Sequence, residues 1–140
     1  MADIYGKAYS ATNALHRTHG TTSDAGVRRF RNCVDLAAEG GGTANSIIAA
    51  MVREGVAVCE VRLHSTANLS GINFTIGTDA APAKYGAAQA GPNATSKTFQ
   101  IPVAQLAADA LSAPETIKFF PSGNLPGAGT IVAEVFASKR

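Results

Sequence analysis

The chain has no tryptophan, and its aromatic residues amount to only 6% of 140 positions. Platforms that stack sugars or bases depend on aromatic faces, so this poverty argues against both. Cysteine is nearly absent: Cys33 and Cys59 stand alone. Two isolated cysteines in a reducing compartment are expected to be buried thiols acting as small apolar groups, with an interstrand disulfide as the alternative. Charge is sparse and balanced, at a formal +2. The one basic cluster, Arg28, Arg29 and Arg31, is too shallow for a phosphate-binding stripe, and neighbours on a strand point opposite ways. Nucleic acid is therefore not an expected partner. No run approaches the roughly 20 apolar residues that span a bilayer. The first twenty residues lack the apolar centre of a secretory signal, which implies synthesis in a cytoplasm and no membrane partner.

Catalytic patterns are missing as well. There is no Gly-x-Ser-x-Gly elbow, and Glu39-Gly40-Gly41-Gly42-Thr43 lacks the Gly-Lys-Ser/Thr end of a phosphate loop. His16 and His19 have helical spacing, but no Cys, Asp or Glu close by completes a tetrahedral site. His64 reads as a rim residue. Glu60 and Glu134 alternate with apolar neighbours as ordinary solvent-facing strand positions do. The chain is thus expected to be non-enzymatic, without metal or cofactor.

What is present is apolar mass in short pieces. Of the apolar residues 27 are alanine, and the larger ones include 9 Val, 8 Ile, 7 Leu and 6 Phe. That suits one core between two layers and is too little for two cores. Ala57, Cys59, Val61 and Leu63 alternate with polar neighbours, as do Ile72, Phe74 and Ile76. Each stretch reads as a half-buried strand. A strand is also expected over Phe30–Leu36, although Val27, Phe30, Val34 and Ala38 would suit a helix. Ile47–Val52 is expected to pair back on it as a hairpin partner. Arg53-Glu54-Gly55 signals a tight turn.

After Thr78, the small-residue stretch through Lys97 reads as a long loop with one helical turn near Ala83–Ala88, and hence as a contact surface. Phe99, Ile101 and Val103 alternate around Pro102, which marks an edge or a bend. Gln105–Leu111 could form a short helix. Strands are expected at Ile117–Phe119 and Ile131–Phe136, around the turn-rich Pro121–Gly129. Six or seven short strands with turn signals between them point to an all-β fold, an antiparallel β-sandwich or jelly-roll-like barrel. A ferredoxin-like α+β arrangement is the alternative if the ambiguous segments are helical. Residues 1–26 show no sustained period and read as a tail or an arm, with Ile4, Tyr5 and Tyr9 as its anchoring groups.

The order of pieces carries a resemblance: RFRNCVDLAA, a Gly-rich turn, REGVAVCEVRLHSTANLSGINFTIGTD, AAPAKYGAA and a final TIVAEVFASKR. Over residues 27–140 this resembles the small virion structural proteins of tailed bacteriophages, decoration and minor capsid proteins above all. The resemblance implies a β-sandwich on the outer capsid lattice, bound to major capsid protein and to copies of itself as a homo-oligomer in the virion. Contact groups would be Ile4, Tyr5 and Tyr9 in the arm, Lys84 and Tyr85 in one loop, and Leu125 and Pro126 in another. Two other readings stand beside it. One is a tail, neck or fibre component forming a ring or trimer. The other is a carbohydrate-binding module that would rest on an exposed Tyr85.

Overall fold

The computed structural model describes residues 26–139 apart from Gly40. Eight strands and one helical turn run in this order: β1 Val27–Asp35, β2 Ile47–Val52, β3 Val56–Ser65, β4 Asn73–Gly77, β5 Gly86–Ala90, β6 Ser96–Phe99, α1 Val103–Leu106, β7 Glu115–Pro121 and β8 Thr130–Lys139. They form two four-stranded sheets, β1-β8-β3-β6 and β2-β7-β4-β5, in which every pairing is antiparallel.

The connectivity obeys one rule. β1 pairs with β8, β2 with β7, β3 with β6 and β4 with β5. This is one long hairpin, folded at the β4–β5 connection and rolled up so that alternate strand pairs fall in opposite sheets. β3–β8 and β4–β7 pairing then completes each sheet. The sandwich expected from sequence is in this sense a jelly roll.

Alternation fills the space between the sheets. Val61 and Leu63 of β3, Phe74 and Ile76 of β4, Ile117 and Phe119 of β7, and Ile131, Ala133 and Val135 of β8 are all fully buried. Phe74, Phe99 and Phe119 meet edge-to-face with centroids 5.3–6.4 Å apart, a geometry that sets positive ring edges on negative faces. The Arg53-Glu54-Gly55 turn is present, with Gly55 at φ +82°, where a side chain would be strained.

Several expectations need correction. β2 is not the hairpin partner of β1: it crosses to the second sheet and pairs with β7, because the connection from Leu36 to Ser46 is long enough to change layers. β3 does not hold a single alternation. A bulge between Val58 and Glu60 shifts the phase, so Val58 faces the core and Cys59 turns to solvent. Both cysteines are exposed thiols rather than buried ones, because Cys33 also lies on the outer face, and neither is in a disulfide. The long loop after Thr78 contains β5 and leads into β6, since Ala and Gln residues with little apolar signal still join a ladder beside Phe74. β6 stops at Phe99, and the helical turn begins at Val103, ahead of the expected Gln105. Among the described residues there are eight strands, against the six or seven expected.

Candidate interaction surface

Antiparallel pairing throughout sorts the connections between two ends of the sandwich. The β1–β2, β3–β4, β5–β6 and β7–β8 connections share one end. At the other lie the β2–β3, β4–β5 and β6–β7 connections, the chain entering β1 and the end of β8. This divides the contact residues expected from sequence. Lys84 and Tyr85 sit at the end where the chain enters β1, and Leu125 and Pro126 sit at the opposite end. Ile4, Tyr5 and Tyr9 lie outside the described residues, as do His16 and His19.

Tyr85 is only 2% exposed, part of the core cluster. Its hydroxyl donates to Glu115 Oε2 at 2.6 Å, and Lys84 Nζ pairs with the other oxygen of that carboxylate. Burial, together with the weaker effect of the hydrogen bond to Glu115, raises the Tyr85 phenol well above its usual range. The ring is packed and its polar tip satisfied, so the surface at this point belongs to half-buried Lys84. Leu125 is likewise buried, and the loop around it is tied to the β1–β2 connection: Leu125 N–H donates to Thr43 O and Gly42 N–H donates to Leu125 O, both at 2.8 Å. Pro126 remains partly exposed beside it.

Sequence reasoning missed the exposed apolar side chains. Val103 and Leu106 of α1, at 79% and 40% exposure, lie at the same end as Lys84. Val27, where the chain enters β1, is also exposed there. On β2, Ile48 and Met51 point away from the core. The signal for Val103 was Pro102, which ends strand pairing and releases Val103 from the ladder.

It also missed a polar cluster on the outer face of the β1-β8-β3-β6 sheet. Glu134 occupies a central strand, opposite Arg31 on one side and Arg62 on the other. It was expected in solvent but is 4% exposed, because long side chains from both neighbouring strands close over it. Arg29 donates to both its oxygens, and His64 Nε2 stands 2.9 Å from Oε1. The Arg29 hydrogen bond holds the Glu134 carboxyl below the usual carboxylate range, against the opposing effect of burial. Arg62 pairs with Glu60 and lies over the Phe136 ring, 5.0 Å from its centroid. Charges that neutralise one another in this way hold a sheet face together and leave little net field for an anionic partner.

Among the described residues no group of three or more His, Cys, Asp or Glu side chains could hold a metal ion, and no helix is long and apolar enough to cross a membrane. The surface offers shallow apolar and neutral contact area.

No family model and no curated protein sequence matches the chain. Among solved structures it is similar to a chain of the cyanophage Pam1 capsid asymmetric unit, with a TM-score of 0.62 and 16% identity. The match covers 96% of this chain and 99% of that one. At that identity the likeness concerns the fold, and it runs end to end in two chains of nearly equal length.

Proposed function

We propose that the chain is a non-enzymatic virion structural protein that decorates or stabilises a phage capsid by binding major capsid protein and copies of itself. The observation that carries this reading is the end-to-end match of the whole jelly roll to a chain of a capsid assembly, with almost nothing left over on either side. The surface is consistent with it. Exposed Val103, Leu106 and Val27 give apolar contact area at the end where residues 1–25 enter the domain, and Lys84 rims it. The Leu125–Pro126 loop presents a second, rigidly tied surface at the other end. Contacts at two ends suit a protein with several neighbours, where effective concentration strengthens patches that are individually weak. Ile4, Tyr5 and Tyr9 would add an arm contact.

A tail, neck or fibre component forming a ring or trimer is the second reading, and it would use the same surfaces with a fixed copy number. The carbohydrate-binding alternative has lost its anchor, since the Tyr85 ring is enclosed.

The test is reconstitution. Full-length chain is mixed with particles assembled from the major capsid protein alone and sedimented, alongside a variant lacking residues 2–20 and a Val103→Asp/Leu106→Asp variant. The reading expects saturable co-sedimentation of the full chain at a fixed ratio, weakened at least tenfold in the variants. No binding of the full chain at any ratio would rule out decoration.

A further inference from the structure

On the outer face of the β1-β8-β3-β6 sheet, side chains from three strands are linked end to end. Ser96 of β6 stands directly opposite His64 of β3, and Ser96 Oγ is hydrogen-bonded to His64 Nδ1. The other ring nitrogen, Nε2, lies 2.9 Å from Glu134 Oε1 of β8. Nε2 is buried, and among the described residues no acceptor elsewhere competes for it. Glu134 is held in turn by Arg29, which donates to both its oxygens and keeps it ionised. A negative charge beside Nε2 favours the ring proton there and leaves the Nδ1 lone pair facing Ser96. Ser96 Oγ–H then donates and His64 accepts. A hydroxyl, a base within hydrogen-bond reach and a group that orients the base make up the arrangement that activates a nucleophile. Ser96 is exposed, and it opens on a groove of about 190 Å³ whose walls include Thr66, Thr95, Thr130 and Val132. Two neighbouring hydroxyls are committed to the backbone instead: Ser65 Oγ donates to Ala67 O, and Thr66 Oγ1 accepts from Thr130 N–H.

We propose that Ser96 is a modification site, acylated by small activated esters with His64 as its base and Glu134 as the residue that positions His64. Ser96 Oγ attacks the acyl carbon. A new ester C–O bond forms as the bond to the leaving oxygen breaks. The Oγ proton passes to His64 Nδ1 and from there to the departing phenoxide or alkoxide, so nothing is oxidised or reduced. The transient imidazolium is stabilised by Glu134 and opposed by Arg29, while Arg62 is turned towards Glu60 and the Phe136 ring. Because Glu134 shares its charge with Arg29, it strengthens the base only in part. The donor must therefore carry a good leaving group, as aryl esters do. The groove beside Ser96 suits a short acyl chain, with Val132 as its apolar wall. The product is one acyl group per chain, a modification compatible with a structural role and independent of the capsid reading.

The probe is p-nitrophenyl acetate. The full-length chain, with Cys33 and Cys59 alkylated beforehand, is treated at about pH 8, and acetylated residues are located and timed by peptide mass spectrometry. The proposal expects Ser96 to be acetylated at least about tenfold faster than any other serine or threonine, and His64→Gln to remove that advantage. Nitrogen-15 shifts of the His64 ring, assigned by comparison with His64→Gln, read the tautomer directly. They should show the proton on Nε2 in the parent and a larger share on Nδ1 in Glu134→Gln. Acetylation of Ser96 at the pace of the other hydroxyls overturns the proposal, and so does a parental rate in His64→Gln. A parent ring protonated on Nδ1 overturns it as well, since that nitrogen could not then take the serine proton.

Discussion

Arg29 and Glu134 meet across the β1–β8 pair, with Arg29 Nε and Nη2 donating to the two carboxylate oxygens at 2.9 and 2.7 Å. The pair lies on the outer face of the sandwich, yet its acid is enclosed. Because the folded state holds the Glu134 carboxyl below its unfolded value, the stabilisation is fully present above about pH 4.3 and is lost as pH falls through the lowered folded value. Glu134→Gln should be less stable than the parent at neutral pH and converge with it in acid. Parallel thermal melts from about pH 7 down to about pH 2.5, a range that brackets the ordinary carboxylate value, check this. A constant offset across that range would contradict it.

Phe74 sits at the junction of three rings and is fully buried. Phe74→Ala should cost about 3–5 kcal/mol, and Ile76→Ala about 2–5 kcal/mol, measured by urea unfolding. An effect below about 1 kcal/mol would mean that the core closes differently.

Gly77 and Gly91 are held by close backbone approach. A Cβ on Gly77 would stand 2.1 Å from Ala81 O, and one on Gly91 would stand 2.7 Å from both Leu69 O and the Phe74 ring. Alanine at either position should lower the melting temperature by several degrees, whereas Gly71→Ala and Gly123→Ala, which point into open space, should leave it nearly unchanged.

Tyr85→Phe deletes the hydroxyl that donates to Glu115 and should cost about 1–2 kcal/mol. The phenol is raised in the folded state, so its contribution is present below about pH 10 and is lost as pH rises above that. In the parent, an ultraviolet titration should show one tyrosine ionising only as the protein unfolds in alkali. Three tyrosines titrating together near about pH 10 would contradict the burial.

Cys33 and Cys59 should both react with a thiol reagent in the native protein, giving two equivalents without denaturant. Fewer than two would mean that this face is covered.

The all-β class was legible because Phe74 and Ile76, and Ile117 and Phe119, alternate cleanly, and because Ile131–Phe136 is a short apolar run behind a turn-rich loop. Layer and partner were not. Nothing local distinguishes β2 folding back on β1 from β2 crossing to β7, since both satisfy Ile47–Val52 equally. The β3 bulge was hidden because Ala57-Val58-Cys59 offers apolar residues in both phases. β5 was invisible for the opposite reason, since GAAQA has no alternation and its place is set by the β4 ladder. At the candidate surface, Lys84 and Pro126 were singled out through loop composition, and both are partly exposed. Tyr85 and Leu125 were drawn inward by their own apolar area, which a loop assignment does not register. Glu134 is enclosed beside Arg29 and His64, from two strands distant in the chain, and no window of sequence contains that.

The most direct test of the central claim is the composition of particles sedimented from the native source, with copy numbers read by mass spectrometry. The account predicts that the chain travels with a capsid-sized particle in a fixed ratio to one abundant larger protein, at a stoichiometry set by the capsid lattice. Recovery of the chain only as a free monomer or small oligomer, away from any particle, would contradict it.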